Sequence, residues 1–395
     1  MKKTKTFGEK ARRILSAFLL FSIVLSILSL SAYAVPPNTE QEKLGFDCKS
    51  AILMEADTGT VLYESSADNA LPPASVTKVM TLLLVMEAIE AGKISYSDNV
   101  RASANACSMG GSQIYLEENE EMSVEDLLKS VVIASANDAA VALAEYVSGT
   151  EEAFVARMNE RAMELGMKNT HFENTNGLDD SVENHVTSAR DIAIMSRELI
   201  KYPRITEFSS IWMDTIRNGQ FGLTNTNRLI RFYKGATGLK TGSTSKAGFC
   251  ISATAERDGM TLICVIMGAP SRDIRNAAAT SLLDWGFSNY GLYTVEGGNI
   301  SDIPVLKGVK ESVEAQYSGF SQILEKNGKK NVEKIVELPD ALTAPIKKGE
   351  VVGKVLYKLD GKEVGKSDII ASQNVEKISF GKMFLIFLEK CAQIM

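Results

Sequence analysis

Histidine is almost missing from this chain, which has two, His171 and His185, among 395 residues. That scarcity excludes a histidine-rich metal centre, and a Ser-His-Asp triad would need a G-x-S-x-G nucleophile elbow that the sequence does not contain. Cysteine is also sparse: Cys48, Cys107, Cys250, Cys264 and Cys391 are odd in number and never spaced C-x-x-C. Neither a disulfide framework nor a zinc site follows from such a set, and buried free thiols are the expectation. An excess of positive charge is lacking too, with 43 Lys and Arg against 49 Asp and Glu. A net charge of −6 argues against nucleic acid as a partner. Only one long uncharged run occurs, Ile14 to Leu30, so the chain is not a multi-span membrane protein. No repeat and no low-complexity stretch appears, and 45% apolar with 23% charged residues is an ordinary globular composition.

What is present divides along the chain. Lys2, Lys3, Lys5, Lys10, Arg12 and Arg13 precede the uncharged run, and Ala32-Tyr33-Ala34 follows it. Those are the basic, apolar and small-residue regions of a secretory signal peptide, expected to span 1–34 and to be cut before a linker at 35–46. Cleavage there removes six cations and one anion, Glu9, leaving 37 basic and 48 acidic residues and a net charge of −11. At the other end, Phe380, Met383, Phe384, Phe387, Leu388, Cys391, Ile394 and Met395 share a helical-wheel arc of about 140°. Charges recur too often there for a spanning helix, so 373–395 reads as an amphipathic helix lying on a membrane surface, with Lys382 and Lys390 toward the headgroups.

Between the ends, residues 47–290 alternate strand-like and helix-like runs. Ala51–Ala56 and Thr60–Tyr63 flank Asp57-Thr-Gly as a hairpin, and Gly248–Ala255 and Met260–Met267 flank Arg257-Asp-Gly as another. Helices are expected at 76–91, 124–134, 138–147, 151–165, 189–201 and 276–285, several closed by glycine and one stopped by Pro203. Strands at both ends of a domain with helices between them indicate an α+β or α/β sandwich. Residues 291–372 are short Val- and Ile-rich runs separated by Gly-containing turns, the pattern of a small all-β domain.

With no nucleophile elbow for either histidine to serve, another base must be sought. Ser75 and Lys78 sit three residues apart at the start of an apolar helix after Pro72-Pro73, so hydroxyl and amine share a face. A lysine on an apolar helix flank loses solvation, which lowers its pKa and frees it to act as a base. The spacing S-x-x-K recurs at Ser243-Lys246 and Ser379-Lys382, in a Gly/Ser/Thr turn and in the amphipathic tail. S-x-N occurs four times, at Ser97, Ser103, Ser135 and Ser372; only Ser135-Ala-Asn137 lies between two apolar helices, where a turn can present both side chains to a cleft. Lys240-Thr241-Gly242 occurs once, ahead of an apolar strand.

Together, and in this order, the three motifs resemble those of the low-molecular-weight penicillin-binding proteins, the serine-type D-alanyl-D-alanine carboxypeptidases. Leu71–Thr81, Met109-Gly-Gly-Ser-Gln113, Ala134–Ala139, Asn174-Thr-Asn-Gly-Leu178, Asn225-Thr-Asn-Arg-Leu229 and Gly238–Gly242 carry the same likeness, which looks closest to the sporulating Gram-positive members. The resemblance implies a β-lactamase/transpeptidase-like α+β domain, an antiparallel sheet with a helical cluster, followed by a β-rich domain and a membrane-anchoring helix. It implies Ser75 as acylated nucleophile, Lys78 as its base, and Ser135 with Lys240 as a proton path to the leaving D-alanine. Asn137 would hold the substrate amide, and the N–H groups of Ser75 and Ser243 would form the oxyanion hole. Lys240, Thr241, Gly242, Ser243 and Arg275 would bind substrate, with Thr241 and Arg275 receiving the terminal carboxylate. No cofactor or metal is implied. The partners would be peptidoglycan stem peptides ending in D-Ala-D-Ala, β-lactams as covalent inhibitors and the outer face of the cytoplasmic membrane. Two alternatives stand beside this reading: a class A-like β-lactamase, whose Glu-x-x-Leu-Asn motif is not found between Ser135 and Lys240, and a non-catalytic peptidoglycan or β-lactam sensor. His171, His185, Trp212 and Trp285 are read as structural.

Overall fold

A computed structural model describes residues 44–179, 182–326 and 332–384. The expected signal peptide and most of the linker therefore lie outside the described residues, as does the tail from 385. No helix among the described residues is long and apolar enough to cross a membrane.

The first domain is built on a five-stranded antiparallel sheet. Its spatial order is Val61–Ser65, Ser50–Glu55, Met260–Ala269, Gly248–Arg257 and Ala236–Thr244. Both expected hairpins are present, Leu53 pairing with Tyr63 and Ser252 with Val265. Because successive side chains in a strand point to opposite faces, each strand supplies two cores. Ile52, Ile263, Val265 and Met267 join one cluster with the helices. Leu53, Leu262, Cys264 and Ile266 join another beneath the helix Arg272–Asn289. The central strands are thus apolar on both sides, which is why they read as continuous hydrophobic runs.

On the first face the helix Lys78–Glu90 is buried almost all round, with Val79 to Met86 enclosed. Helices Asn137–Ser148, Glu151–Glu164 and Ala189–Leu199 surround it; Thr150 and Ser188 cap the last two through side-chain oxygens. The helix expected at 124–134 divides. Val124–Lys129 is α-helical, and Ser130–Ala134 widens into a π turn that ends on Ser135 in the left-handed region, φ 64°. Pro203, expected only as a stop, also occupies the first turn of a further helix, Pro203–Ser209. Of the four described cysteines, all free, Cys250 and Cys264 are buried as expected, whereas Cys48 and Cys107 are half-exposed.

Residues 290–371 form the β-rich part: a two-stranded ribbon, Tyr290–Val295 with Phe320–Glu325, and a six-stranded sheet with its own core around Val313, Ala315, Val355, Tyr357 and Ile369. Ile323 of the ribbon packs into the lower core of the first domain, and Trp285 lies edge-on to both Tyr63 and Tyr290. The tail begins a helical turn at Phe380, leaving Phe380, Met383 and Phe384 exposed.

Candidate active site

Ser75 lies in a 3-10 turn, Ala74–Thr77, that leads directly into the Lys78 helix. Ala74 adopts φ 49°, a left-handed conformation unusual for a residue with a Cβ. The turn throws the Ser75 hydroxyl back toward the next turn of helix, and Lys78 Nζ lies 3.0 Å from Ser75 Oγ.

Lys78 is fully buried and has two further partners, Asn137 Oδ1 at 2.5 Å and the Asn176 carbonyl at 2.7 Å. Both are acceptors only. A neutral amine has two hydrogens, which these acceptors consume, so its lone pair is left facing the one partner able to donate, the Ser75 hydroxyl. Burial drives the Lys78 pKa well below its ordinary value, and the nearby charge of Lys240 lowers it further. The geometry and the electrostatics both favour a neutral amine aimed at a serine.

Asn137 begins its helix, and its amide nitrogen donates to the Gly110 carbonyl at 2.6 Å while its backbone N–H donates to Ser112 O. It thereby ties the loop 109–113 to the lysine. Asp138 holds the next stretch, accepting from the N–H groups of Ile114 and Leu116. Ser135, one turn away, accepts from Lys240 Nζ at 2.7 Å. Lys240 is buried in the edge strand, and desolvation, then the charge of Arg275, pulls its pKa to about 7.

That edge strand presses closely on the nucleophile turn. A Cβ on Gly242 would sit 2.8 Å from Ser75 N and 2.9 Å from Pro73 O, so only glycine admits this approach. Thr241 bonds through its hydroxyl to Thr226, and Ser243 is exposed at the mouth. Arg275 is buried behind the strand; its guanidinium donates to the Cys250 carbonyl and to Asn276 Oδ1. Those partners are neutral, so its charge reaches the site uncompensated by a bonded carboxylate, although burial lowers its pKa to about 10. Arg272, the alternative of the pair, is exposed.

The structure thus gathers Ser75, Lys78, Ser135, Asn137 and Lys240 into one cluster from three separated segments, and leaves Ser97, Ser103 and Ser372 out of it. Ser103 caps the short helix Ala104–Cys107 instead. Several members have no motif of their own. The Asn176 carbonyl and the scaffold Asn225, Thr226 and Asn227, whose side chains meet Ser209 O, the Thr241 hydroxyl and Gly238 O, hold the site together largely through backbone carbonyls. Their only sequence signal is the pair of N-T-N tripeptides. Among the described residues no cluster of His, Cys, Asp and Glu could hold a metal ion.

Comparison with known proteins gives the same picture over most of the chain. Residues 37–271 match the family described as D-alanyl-D-alanine carboxypeptidase, and 292–377 match the C-terminal domain of penicillin-binding protein 5. D-alanyl-D-alanine carboxypeptidase DacF of Bacillus subtilis is 44% identical over 93% of this chain and 96% of its own. Among solved structures, penicillin-binding protein 5 of Haemophilus influenzae superimposes with a TM-score of 0.73 at 34% identity, covering 84% of this chain and 98% of its own. A peptidoglycan synthesis regulatory factor, PBP3 of Streptococcus pneumoniae, does so at 0.71 and 31%, covering 84% and 100%.

Proposed function

The chain belongs to the D-alanyl-D-alanine carboxypeptidase family, and we propose that Ser75 is its acylated nucleophile and Lys78 the base that activates it. The protein is a serine-type DD-carboxypeptidase of cell-wall metabolism, acting outside the cytoplasm on peptidoglycan ending in D-Ala-D-Ala, and the covalent capture of penicillin is typical of its family. The observation that carries the assignment of roles is the placement of the buried Lys78 Nζ, 3.0 Å from Ser75 Oγ and held there by two pure acceptors, Asn137 Oδ1 and Asn176 O, which in the neutral amine leave the lone pair for Ser75.

On this reading Lys78 takes the hydroxyl proton as Ser75 Oγ attacks the carbonyl carbon of the penultimate D-alanine. The oxyanion forms between the N–H groups of Ser75 and Ser243, which Gly242 allows to lie close together. As the tetrahedral intermediate collapses, the C–N bond breaks and the leaving amine collects a proton through the Ser135 hydroxyl, next to the Lys240 ammonium. Asn137 orients the substrate amide, and Thr241 receives the terminal carboxylate with the charge of Arg275 acting from behind the strand. Water then attacks the ester, freeing Ser75 and the shortened peptide.

The remaining assignments are proposals of the same kind. Residues 1–34 direct export, 35–46 link, 47–290 carry catalysis, 291–372 form the β domain, and 373–395 anchor the enzyme to the outer face of the cytoplasmic membrane through the apolar side begun by Phe380, Met383 and Phe384.

Incubation with labelled penicillin and with a diacetyl-Lys-D-Ala-D-Ala peptide tests the mechanism. One label per molecule on Ser75, its loss in Ser75→Ala, and release of free D-alanine are expected. A label that survives Ser75→Ala overturns the nucleophile, and labelling without D-alanine release favours a sensor.

A further inference from the structure

Catalysis by Ser75 and Lys78 leaves imidazole without a proton-transfer task, yet His185 is buried against the nucleophile turn. The Glu173 N–H donates to His185 Nδ1 at 2.9 Å, so that nitrogen carries a lone pair. Burial pulls the ring pKa down to about 4, which keeps it neutral and places its hydrogen on Nε2. Nε2 lies 2.8 Å from Thr77 Oγ1 and donates to it; the Thr77 hydroxyl then spends its own hydrogen on the Ala74 carbonyl at 2.8 Å. The direction of every bond in this chain is fixed by the one before it.

The end of the chain is the informative point. Ala74 O and Ser75 N belong to one trans peptide, whose C=O and N–H point in opposite directions. Pinning the carbonyl toward Thr77 therefore aims the Ser75 N–H the other way, and the space left by the missing Cβ of Gly242 begins 2.8 Å from that nitrogen. The turn needs such a restraint, because Ala74 holds φ 49° against its own Cβ. Gly177, on the same loop as His185, closes the other side: a Cβ there would collide with Ala74 O.

We propose that His185 is a positioning residue that orients the oxyanion-binding N–H of Ser75 through Thr77 and the Ala74 carbonyl. The inference rests on Ser75 being the nucleophile and its N–H an oxyanion donor.

Full-length enzyme carrying His185→Ala, Thr77→Val, both together, or His185→Gln is titrated with saturating fluorescent penicillin, which counts competent molecules, and the acylation rate per competent molecule is then measured. His185→Ala and Thr77→Val should each slow acylation about 10- to 100-fold, less than the loss of a whole oxyanion donor. The double variant should be no slower than the worse single, since both break one relay. His185→Gln, with an amide oxygen to accept and an N–H to donate, should recover most of the rate. An unchanged rate per competent molecule in His185→Ala, with only fewer competent molecules, overturns the proposal, as do additive losses in the double variant. Should His185→Ala not fold, Thr77→Val and His185→Gln decide the matter. Labelling of the parent enzyme away from Ser75 would instead overturn the nucleophile assignment, so the two failures are distinguishable.

Discussion

Two lysines buried in one cluster cannot both keep ordinary pKa values. Desolvation lowers each, the charge of Lys240 lowers Lys78 further, and that of Arg275 lowers Lys240. Below its folded pKa, Lys78 holds a proton and cannot take one from Ser75, so acylation rises with pH along an acid limb. Lys240 loses its ammonium near pH 7, so the alkaline side reports that group, and the limbs are properties of the coupled pair. Replacing Lys240 by Gln removes the repulsion that adds to burial in keeping Lys78 neutral. The Lys78 pKa then rises, and the acid limb of penicillin acylation should move to higher pH by about one unit. Lys240→Arg keeps the charge and should leave the limb in place, although the rate falls. A limb that stays put in Lys240→Gln would mean that Lys240 does not tune the base. The sequence made both lysines legible through their motifs, S-x-x-K and K-T-G, and the desolvation of Lys78 through its apolar helix. It could not reveal that Asn137 Oδ1 and Asn176 O would consume the two amine hydrogens, because those partners lie some 60 to 100 positions along the chain.

At the scale of elements, the site depends on one strand touching one turn. Gly242 makes this possible, and the atoms a Cβ would meet, Ser75 N, Pro73 O and Val76 N, are all backbone and cannot swing aside. Gly242→Ala should force the strand and the turn apart, separating the N–H groups of Ser75 and Ser243. A shift of about 1 Å at a reacting centre costs roughly 100-fold in rate, and overpacking costs about 1–3 kcal/mol of stability. Acylation kinetics and thermal unfolding of Gly242→Ala measure both; a wild-type acylation rate would show that the close approach does not set the geometry. Long periodic elements were legible here: both hairpins, the buried helix after Ser75 and the helices after Thr150 and Ser188 follow from apolar spacing and caps. Short ones were not. Met213–Ile216 and Phe221–Thr224 are four-residue strands with little alternation, and Pro203 punctuates as well as it initiates. The π turn before Ser135 was hidden for a different reason. Its apolar residues satisfy an α-helical pattern equally well, and serine has no local preference for the left-handed conformation that Ser135 adopts.

For the whole molecule, charge and apolar surface point in opposite directions. Removal of residues 1–34 leaves a net charge of −11, so an anionic bilayer repels the body of the enzyme and any attachment must come from elsewhere. The tail offers Phe380, Met383 and Phe384, which are 79%, 49% and 52% exposed and find no partner surface within the described residues. Burying one such side chain in an apolar phase contributes about 1.5–3 kcal/mol, and the charges of Lys382 and Lys390 would add little beside that at physiological salt. If the apolar side dominates, raising the salt to about 1 M, where the Debye length is near 3 Å, should leave the mature enzyme on anionic vesicles. Replacing Phe380 and Phe384 by Glu should lower vesicle partitioning at least about a hundredfold, because two buried rings are lost and two charges face the interface. Penicillin acylation should stay at the wild-type rate, since neither residue approaches the cluster around Ser75. Sedimentation with vesicles at low and high salt separates the two causes: release of the parent enzyme by salt alone would assign attachment to the lysines, and retention of the double variant would remove the tail as the anchor.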